Sequence, residues 1–314
     1  MIEARGLTKR YGDKLAVDNL TFTVRPGIVT GFLGPNGAGK STTIRMILGL
    51  DRPTAGQVTV DGRSYASQPA PLHAVGALLE ARAVHTGRSA YNHLLALGAT
   101  TGIPASRVDE VIDLVGLREV ARKRAGGFSL GMGQRLGIAA ALLGDPRTLI
   151  LDEPVNGLDP EGILWIRNLL RRQAAEGRTV FVSSHLMSEM ALTAEQLIIV
   201  GRGRLIADVS VADFTRASAT SVRVRSPQAG ELRDALAGPR VTVTSAEAGV
   251  LEVTGMDSED IGRIAAQRQL TLYELAPRTA SLEEAFMELT RDAVEYRAAV
   301  PDAPAELAGA GRSA

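Results

Sequence analysis

The chain has 314 residues, with 35 lysines and arginines balanced by 35 aspartates and glutamates, and it contains no cysteine. The length suits one large domain with a small one, or two modest domains. The charge balance argues against a strong overall field for nucleic acid or an anionic membrane, and the lack of cysteine excludes disulfides and thiolate metal sites. The first residues lack the apolar core of a signal peptide, and no run approaches the roughly 20 apolar residues of a membrane span. We therefore expect a soluble protein, or one held at a membrane through a partner.

The first segment alternates apolar and polar residues from Ile2 to Val24 and ends in a Pro26-Gly27 turn. Such alternation predicts short antiparallel strands. Tyr11 lies in a turn between them, followed by Gly12 and Asp13. An exposed aromatic ring at this place is a candidate for stacking on a nucleotide base. The alternative is that the ring has no special role, as is usual for an exposed tyrosine in a turn.

The most informative stretch runs from Gly34 to Thr42 and reads GPNGAGKST. An apolar run precedes it as a buried strand and a helical pattern follows it, which is the context of a phosphate-binding loop. We expect its glycines to take positive φ, so that their N–H groups and the helix N-terminus surround an anion. Lys40 would reach the β- and γ-phosphates, and Ser41 would ligate Mg²⁺. The residues expected to bind the nucleotide are Gly34, Asn36, Gly37, Gly39, Lys40, Ser41 and Thr42.

The middle of the chain changes from a strand to helices. A second buried strand over residues 75–79 ends at Glu80, and from Ser89 to Ala125 the apolar residues recur at helical spacing. This periodicity indicates a helical insert. Ser129 then has the residue type of a helix N-cap before another apolar helix.

Two carboxylates end the next buried strand. Residues 148–151 predict that strand, and Asp152 and Glu153 follow it directly. Asp152 is placed to hold the water shell of Mg²⁺, and Glu153 to orient or deprotonate a water molecule. The alternative is that both acids only supply negative charge to the N-terminus of the next helix. The phosphate-binding loop upstream favours the catalytic interpretation.

A helix and a further strand complete this part of the chain. Gly157 to Pro160 start the helix, with Asp159 as its cap. Residues 179–183 predict a buried strand, and His185 follows its end. A lone histidine is more often a structural hydrogen-bonding group, but its position at the end of a core strand, in the same layer as Glu153, favours a contact with the γ-phosphate. Residues 197–200 and 205–207 are expected to close the sheet.

A second block follows residue 220. Strand patterns at 221–225, 241–243, 250–253 and 270–275 and helix patterns at 231–237 and 258–267 give the order β-α-β-β-α-β. This order predicts a small ferredoxin-like domain. Ser281 to Glu284 form a capping box that opens a last helix. Residues 297–314 are rich in alanine, proline and glycine without periodicity, and we expect them to be disordered.

Taken together, residues 1 to about 215 resemble the ATP-binding-cassette (ABC) ATPases in the order and spacing of their motifs. Residues 34–42 resemble Walker A, 129–133 the family signature, 149–152 Walker B, and 157–159 the D-loop. Tyr11 resembles the base-stacking aromatic, Glu153 the catalytic glutamate and His185 the switch histidine. The resemblance implies that two cassettes pair head to tail around two MgATP. Each ATP would then contact Ser129 and Gly131 of the other subunit's signature, with Asp159 in the D-loop.

Two departures from the usual family pattern indicate which type of ABC ATPase the chain resembles. Glu80 stands where a glutamine is usual, and the signature has Leu130 and Met132 in place of a glycine and a glutamine. Both resemble exporter cassettes of the drug- and antibiotic-resistance type, related to the daunorubicin and bacitracin groups. Glu80 would ligate Mg²⁺ through water.

The implied fold is α/β. It is a P-loop NTPase cassette over residues 1–215, with a mixed sheet, an antiparallel β-subdomain and a helical subdomain at about 89–145. A small α+β accessory domain of ferredoxin-like type would follow at 220–292.

These features are compared with three classes of function that such a chain could have. The first is the ATP-hydrolysing subunit of a bacterial ABC exporter, bound at the cytoplasmic face of the membrane to a permease on a separate chain, for efflux of a drug or other hydrophobic compound. The second is a soluble ABC ATPase that acts on the ribosome or nucleic acid. Such proteins usually fuse two cassettes or insert a long coiled coil, and neither feature is present. The third is a nucleotide-binding module without turnover, which Glu153 and His185 disfavour.

Overall fold

The computed structural model describes residues 1–80, 83–217, 220–239, 241–279 and 282–291. The strands are β1 (Ile2–Tyr11), β2 (Lys14–Val24), β3 (Val29–Leu33), β4 (Ala55–Val60), β5 (Val75–Leu78), β6 (Thr148–Asp152), β7 (Thr179–Ser184), β8 (Gln196–Gly201), β9 (Arg204–Ser210), β10 (Thr220–Arg225), β11 (Thr242–Glu247), β12 (Val250–Thr254) and β13 (Glu274–Thr279). The helices are α1 (Lys40–Ile47), α2 (Pro71–Ala74), α3 (Ala90–Ala99), α4 (Ala105–Leu114), α5 (Leu130–Leu142), α6 (Pro160–Ala175), α7 (Met187–Ala191), α8 (Val211–Ala217), α9 (Ala229–Leu236), α10 (Ser258–Gln267) and α11 (Leu282–Thr290). Within these described ranges, no helix is both long and apolar enough to cross a membrane.

The first sheet is antiparallel, with strand order β2-β1-β4. Strands β1 and β2 pair along their whole length, from Ile2 opposite Val24 to Tyr11 opposite Lys14. Their apolar residues alternate with polar ones because one face of the sheet packs on the core while the other meets solvent. The predicted antiparallel β-subdomain is therefore confirmed, and Tyr11 lies at the tip of its first hairpin.

The central sheet is mixed and has the strand order β5-β6-β7-β3-β8-β9. Its first five strands run parallel and β9 pairs antiparallel with β8. Strands β3 and β7 are buried along their whole length, which explains the apolar residues on both faces of each strand. Leu33 lies opposite Ser184 and Asp152 opposite Ser183. The carboxyl ends of four neighbouring parallel strands, β5, β6, β7 and β3, therefore meet at one edge, where ligands bind in open α/β sheets.

Helices α3, α4 and α5 form the helical subdomain predicted at about 89–145. Their apolar faces share one core with the central sheet. Helix α5 approaches β5 so closely that a Cβ on Gly76 would lie 1.8 Å from the Ala141 carbonyl oxygen. A side chain at Gly76 would therefore push this helix away from the sheet.

The C-terminal block forms a four-stranded antiparallel sheet in the order β11-β12-β10-β13, with α9 and α10 in the order β-α-β-β-α-β. Its buried residues form a core separate from that of the cassette. Helix α10 has the predicted bounds, but the last strand begins at Glu274 rather than Leu270. The reason is that Leu270 and Leu272 pack against this core before the chain enters the sheet.

The last helix, α11, packs away from this sheet. Phe286 lies in the core of the cassette, and Leu282 and Ala285 pack against that core. The sequence grouped this helix with the accessory block at 220–292, whereas its apolar contacts are with the first block. Ser281 of the predicted capping box and the predicted disordered tail at 297–314 lie outside the described residues.

Candidate functional site

The loop from Gly34 to Thr42 joins β3 to α1. Gly37 and Gly39 have φ of 83° and 97°, as predicted, and Gly39 is the N-cap of α1. The expectation of a positive φ at Gly34 is wrong. Gly34 is needed for a different reason, because a Cβ there would lie 2.4 Å from the Val200 carbonyl oxygen.

Lys40 is a buried cation within this loop, with 7% of its surface exposed. Its Nζ donates to the Gly34 carbonyl at 2.6 Å and lies 3.8 Å from Glu153 Oε1. Burial lowers the pKa of Lys40, while the nearby charges of Glu153 and Asp152 act in the opposite direction. A desolvated ammonium beside glycine N–H groups suits an anion with several oxygens, such as a polyphosphate.

Asp152, at the end of β6, links the start of α1 to the end of β7 through two hydroxyl groups. Ser41 Oγ donates to Asp152 Oδ2 at 2.7 Å, and Ser183 Oγ donates to Asp152 Oδ1. Ser183 also accepts a hydrogen bond from the Glu153 N–H at 3.0 Å. Hydroxyl and carboxylate oxygens are the hard donors that Mg²⁺ prefers, so the side chains of Ser41 and Asp152 fit that ion.

Glu153 and His185 form a hydrogen-bonded pair. His185 Nδ1 lies 2.9 Å from Glu153 Oε2. Glu153 has a φ of 50°, which is uncommon for a residue with a side chain and often marks a functional position. Its carbonyl accepts a hydrogen bond from Gln134 Nε2 at 3.3 Å. Hydrogen bonds at both its backbone ends and its carboxylate therefore hold Glu153 in place.

Tyr11 remains 46% exposed at the edge of the site. Its hydroxyl donates to Asp51 Oδ2 at 2.6 Å, and Arg45 Nε holds the same oxygen at 2.8 Å. Burial and the Asp51 carboxylate raise the pKa of Tyr11, and Thr42 contributes a hydrogen bond that lowers it. The ring is thus fixed next to the loop with much of its surface free.

Glu80 is exposed and lies just past the end of β5, which is the neighbour of the strand that carries Asp152. Its negative charge contributes to raising the pKa of Arg45, after the larger contribution of Asp51. Asn36 is also exposed, at the tip of the glycine-rich loop.

The segment from Ser129 lies against the turn before α6. Ser129 caps α5 by accepting a hydrogen bond from the Met132 N–H at 3.2 Å. A Cβ on Gly131 would lie 2.8 Å from the Gly157 carbonyl oxygen, so the two segments are in close contact. Asp159 caps α6 through the Gly162 N–H at 3.0 Å. Among the described residues, the side chains of Ser129 and Asp159 each form a hydrogen bond to the first turn of the helix that they cap.

Comparison with known proteins explains this set of features. A family model described as ABC transporter matches residues 17–156, and a model described as a domain of unknown function matches residues 220–283. The chain is 37% identical over 299 residues to the uncharacterized ABC transporter ATP-binding protein YhcH of Bacillus subtilis (strain 168), covering 94% of this chain and 97% of that protein. The chain belongs to the ABC transporter ATP-binding proteins.

Two further comparisons agree with this assignment. The chain is 43% identical over 212 residues to the bacitracin transport ATP-binding protein BcrA of Bacillus licheniformis, covering 67% of this chain and 69% of that protein. A solved structure of the ATP-binding subunit of an ABC transporter matches with a TM-score of 0.63 and 26% identity, covering 69% of this chain and 92% of that one. The predicted P-loop cassette fold is confirmed, and the protein is the ATPase subunit of an ABC transporter.

The ABC cassette brings together Lys40, Ser41, Asp152, Glu153 and His185, as the sequence predicted from separate strands. Sequence reasoning missed three side chains that hold this site, which are Ser183, Gln134 and Asp51. A weak signal existed for Ser183, since it lies near the end of the strand that leads to His185. Gln134 and Asp51 belong to no pattern that points to the site, and only the packing shows their role.

Proposed function

We propose that this cassette hydrolyses ATP as one subunit of a bacterial exporter and drives a permease carried on a separate chain. The observation that carries the proposal is the cluster of Lys40, Glu153 and His185 at the ends of β3, β6 and β7. Lys40 would exchange its bond with the Gly34 carbonyl for the β- and γ-phosphates. Tyr11 would stack on the base, and the loop's N–H groups, with Asn36 and Thr42 beside them, would surround the phosphates.

Hydrolysis needs a base for the attacking water. The water oxygen attacks the γ-phosphorus, the bond to the β-phosphate oxygen breaks, and ADP and phosphate leave. Glu153 accepts the water proton at its carboxylate, and His185 holds that carboxylate through Oε2. When bound, Mg²⁺ would be held by Ser41, with Asp152 and Glu80 acting through water, and it would neutralise phosphate charge.

We further propose that two copies pair head to tail around two MgATP. Within one chain, the N-terminus of α5 uses Ser129 for its own cap, and Leu130 beside it is 47% exposed. Ser129 and Gly131 would therefore meet the γ-phosphate bound by the other subunit. A shared ligand stabilises such a dimer by mass action.

The permease would dock on the segment from Glu80 to Leu97. A cavity of about 320 Å³ lies there, lined by Leu50, Tyr65, Leu79, Val84, His93 and other residues. His93 is 8% exposed, and among the residues that the structure describes its buried Nδ1 has no hydrogen-bond partner. Val84 and Tyr91 pack partly against the helical core, but the cavity stays open beside Val84. A docked helix with one polar group facing His93 would fill it.

Efflux of an antibiotic or another hydrophobic compound is the cargo class that we propose. The support is the similarity to BcrA, whose name states bacitracin transport, and the exporter-type residues Glu80, Leu130 and Met132. The permease would hold the cassette at the inner face of the membrane. No nucleic-acid partner is proposed, since the chain is neutral overall.

The test is affinity purification of the full chain from membranes, followed by crosslinking from a photoreactive group at position 83 or 93. We expect an integral membrane protein to co-purify and crosslink at both positions. The same group at Glu259, on the C-terminal α10, is the matched control. Crosslinks only to the C-terminal block would refute the docking site, and co-purification with ribosomes would favour the alternative function.

A further inference from the structure

The switch histidine lies directly before a short helix that does not cap itself. Helix α7 begins at Met187, two positions after His185, and its N-cap residue Leu186 offers no side-chain acceptor. The first N–H groups of a helix need acceptors from elsewhere. The direction of α7 therefore depends on neighbouring elements, and so does the position of His185.

Glu283 on α11 faces the first turn of α7. The two helices are in contact, and the hydroxyl and backbone N–H of Ser188 lie near enough to the Glu283 carboxylate to lower its pKa. The Ser188 hydroxyl makes the largest contribution to this lowered pKa, followed by the backbone N–H of Glu283 itself. A carboxylate that caps N–H groups makes hydrogen bonds stronger than neutral ones.

An apolar contact fixes α11 in this position. Phe286 is 7% exposed and lies in the same hydrophobic core as Met187 and Met190 of α7. The core of the C-terminal sheet is a separate cluster. After forming the C-terminal sheet, the chain therefore packs its last helix, α11, on the cassette near His185.

The other side of α7 is held by the helix that follows the D-loop. Arg167 Nη2 on α6 pairs with Glu189 Oε2 at 3.1 Å, and both side chains are less than a quarter exposed. Arg171 Nη2 donates to the Leu192 carbonyl at 2.6 Å, just past the end of α7. Helix α7 is thus clamped between α6 and α11.

We propose that Glu283 and Phe286 are positioning residues for ATP hydrolysis, because they hold α7 and thereby His185 against Glu153. The proposal rests on the proposed role of His185. It makes the C-terminal helix a part of the hydrolytic machinery, and it explains why the last helix packs on the cassette. Without the clamp, the 2.9 Å hydrogen bond between His185 and Glu153 would lengthen, since one short helix alone would orient the ring.

The experiment compares steady-state ATPase rates of the full chain with Glu283→Ala, Phe286→Ala, His185→Ala and the Glu283→Ala/His185→Ala double variant. We expect kcat to fall about threefold to tenfold in the first two variants with KM unchanged, the scale typical of residues coupled through contact. In the double variant, kcat should equal that of His185→Ala, because Glu283 acts through the histidine. Met287→Ala, on the exposed face of α11, is the matched control and should keep the normal rate.

Each outcome has a defined meaning. A normal kcat in both Glu283→Ala and Phe286→Ala, with a slow His185→Ala, overturns the inference and leaves the proposed function intact. Equal fold losses from Glu283→Ala in the presence and absence of His185 would show a purely structural role, and so would overturn it as well. A normal rate in His185→Ala contradicts the proposed role of the histidine itself. Rates are measured well below the midpoint of thermal unfolding of each variant, so that loss of folded protein does not enter kcat.

Discussion

Replacing Glu153 with glutamine tests the catalytic assignment most directly. The substitution keeps the size of the side chain and one oxygen, while the backbone stays held by Ser183 and Gln134. Only the negative charge and the proton acceptor are lost. The carboxylate lies 2.9 Å from His185 and 3.8 Å from Lys40, so both neighbours report on the change.

The expected rate loss follows from the role of a general base. Such a base contributes about 10²–10⁴ in rate. This corresponds to roughly 3–5 kcal/mol of activation free energy.

The affinity for nucleotide should not fall in this variant. At the 3.8 Å separation, an effective dielectric constant near 20 gives about 4 kcal/mol of attraction between Glu153 and Lys40, before desolvation offsets it. Without the Glu153 carboxylate, Lys40 no longer has this competing partner and the phosphates no longer have a negative charge beside them. The affinity for ATP should therefore stay equal or become tighter.

The assay combines phosphate release with the dimer fraction measured by light scattering in MgATP. Glu153→Gln should hydrolyse slowly and accumulate as a dimer, because hydrolysis opens the two-ATP complex. Glu161→Gln, which removes an exposed acid at the start of α6, is the matched control. The competing account assigns the chemistry to His185 and only metal ordering to Glu153. It predicts a weakened Mg²⁺ dependence in Glu153→Gln and a larger rate loss in His185→Ala. Near-normal turnover in Glu153→Gln would refute our assignment.

Three further predictions follow from the same site. Lys40→Ala should lower MgATP affinity by about tenfold to a hundredfold in a nucleotide titration, since charged hydrogen bonds to phosphate are lost, and unchanged binding would contradict the site. Ser129→Arg should block hydrolysis but leave ATP binding to the monomer intact, so hydrolysis at the full rate would argue against the head-to-tail dimer. Ser183→Ala should lower the free energy of unfolding by about 1–3 kcal/mol in a urea titration, because the Glu153 N–H loses its buried acceptor. The variant should also weaken the Mg²⁺ dependence of hydrolysis. A urea midpoint equal to that of the wild type would show that the Ser183 hydrogen bonds do not support the site.

The amino-acid sequence alone predicted the phosphate-binding loop, the two carboxylates and the histidine. Each of these is a local pattern, in which a buried strand is followed at once by residues of one chemistry. Because parallel strands expose their carboxyl ends at one edge, the sequence could also predict that these residues meet. The family resemblance added the signature and the D-loop, which no local rule identifies.

Other features were decided only by the tertiary structure. Gly34 is required by the nearby Val200 carbonyl, a contact between segments far apart in sequence. Ser183 and Gln134 support the site as single polar side chains, and a single polar residue leaves no periodic signal. Helix α11 shows the same limit on a larger scale. Its apolar spacing predicts that one face is buried, but an amphipathic pattern does not say which core covers that face. Packing placed this face on the cassette beside His185, where α11 contacts α7 and Phe286 is buried in the same core as Met187 and Met190.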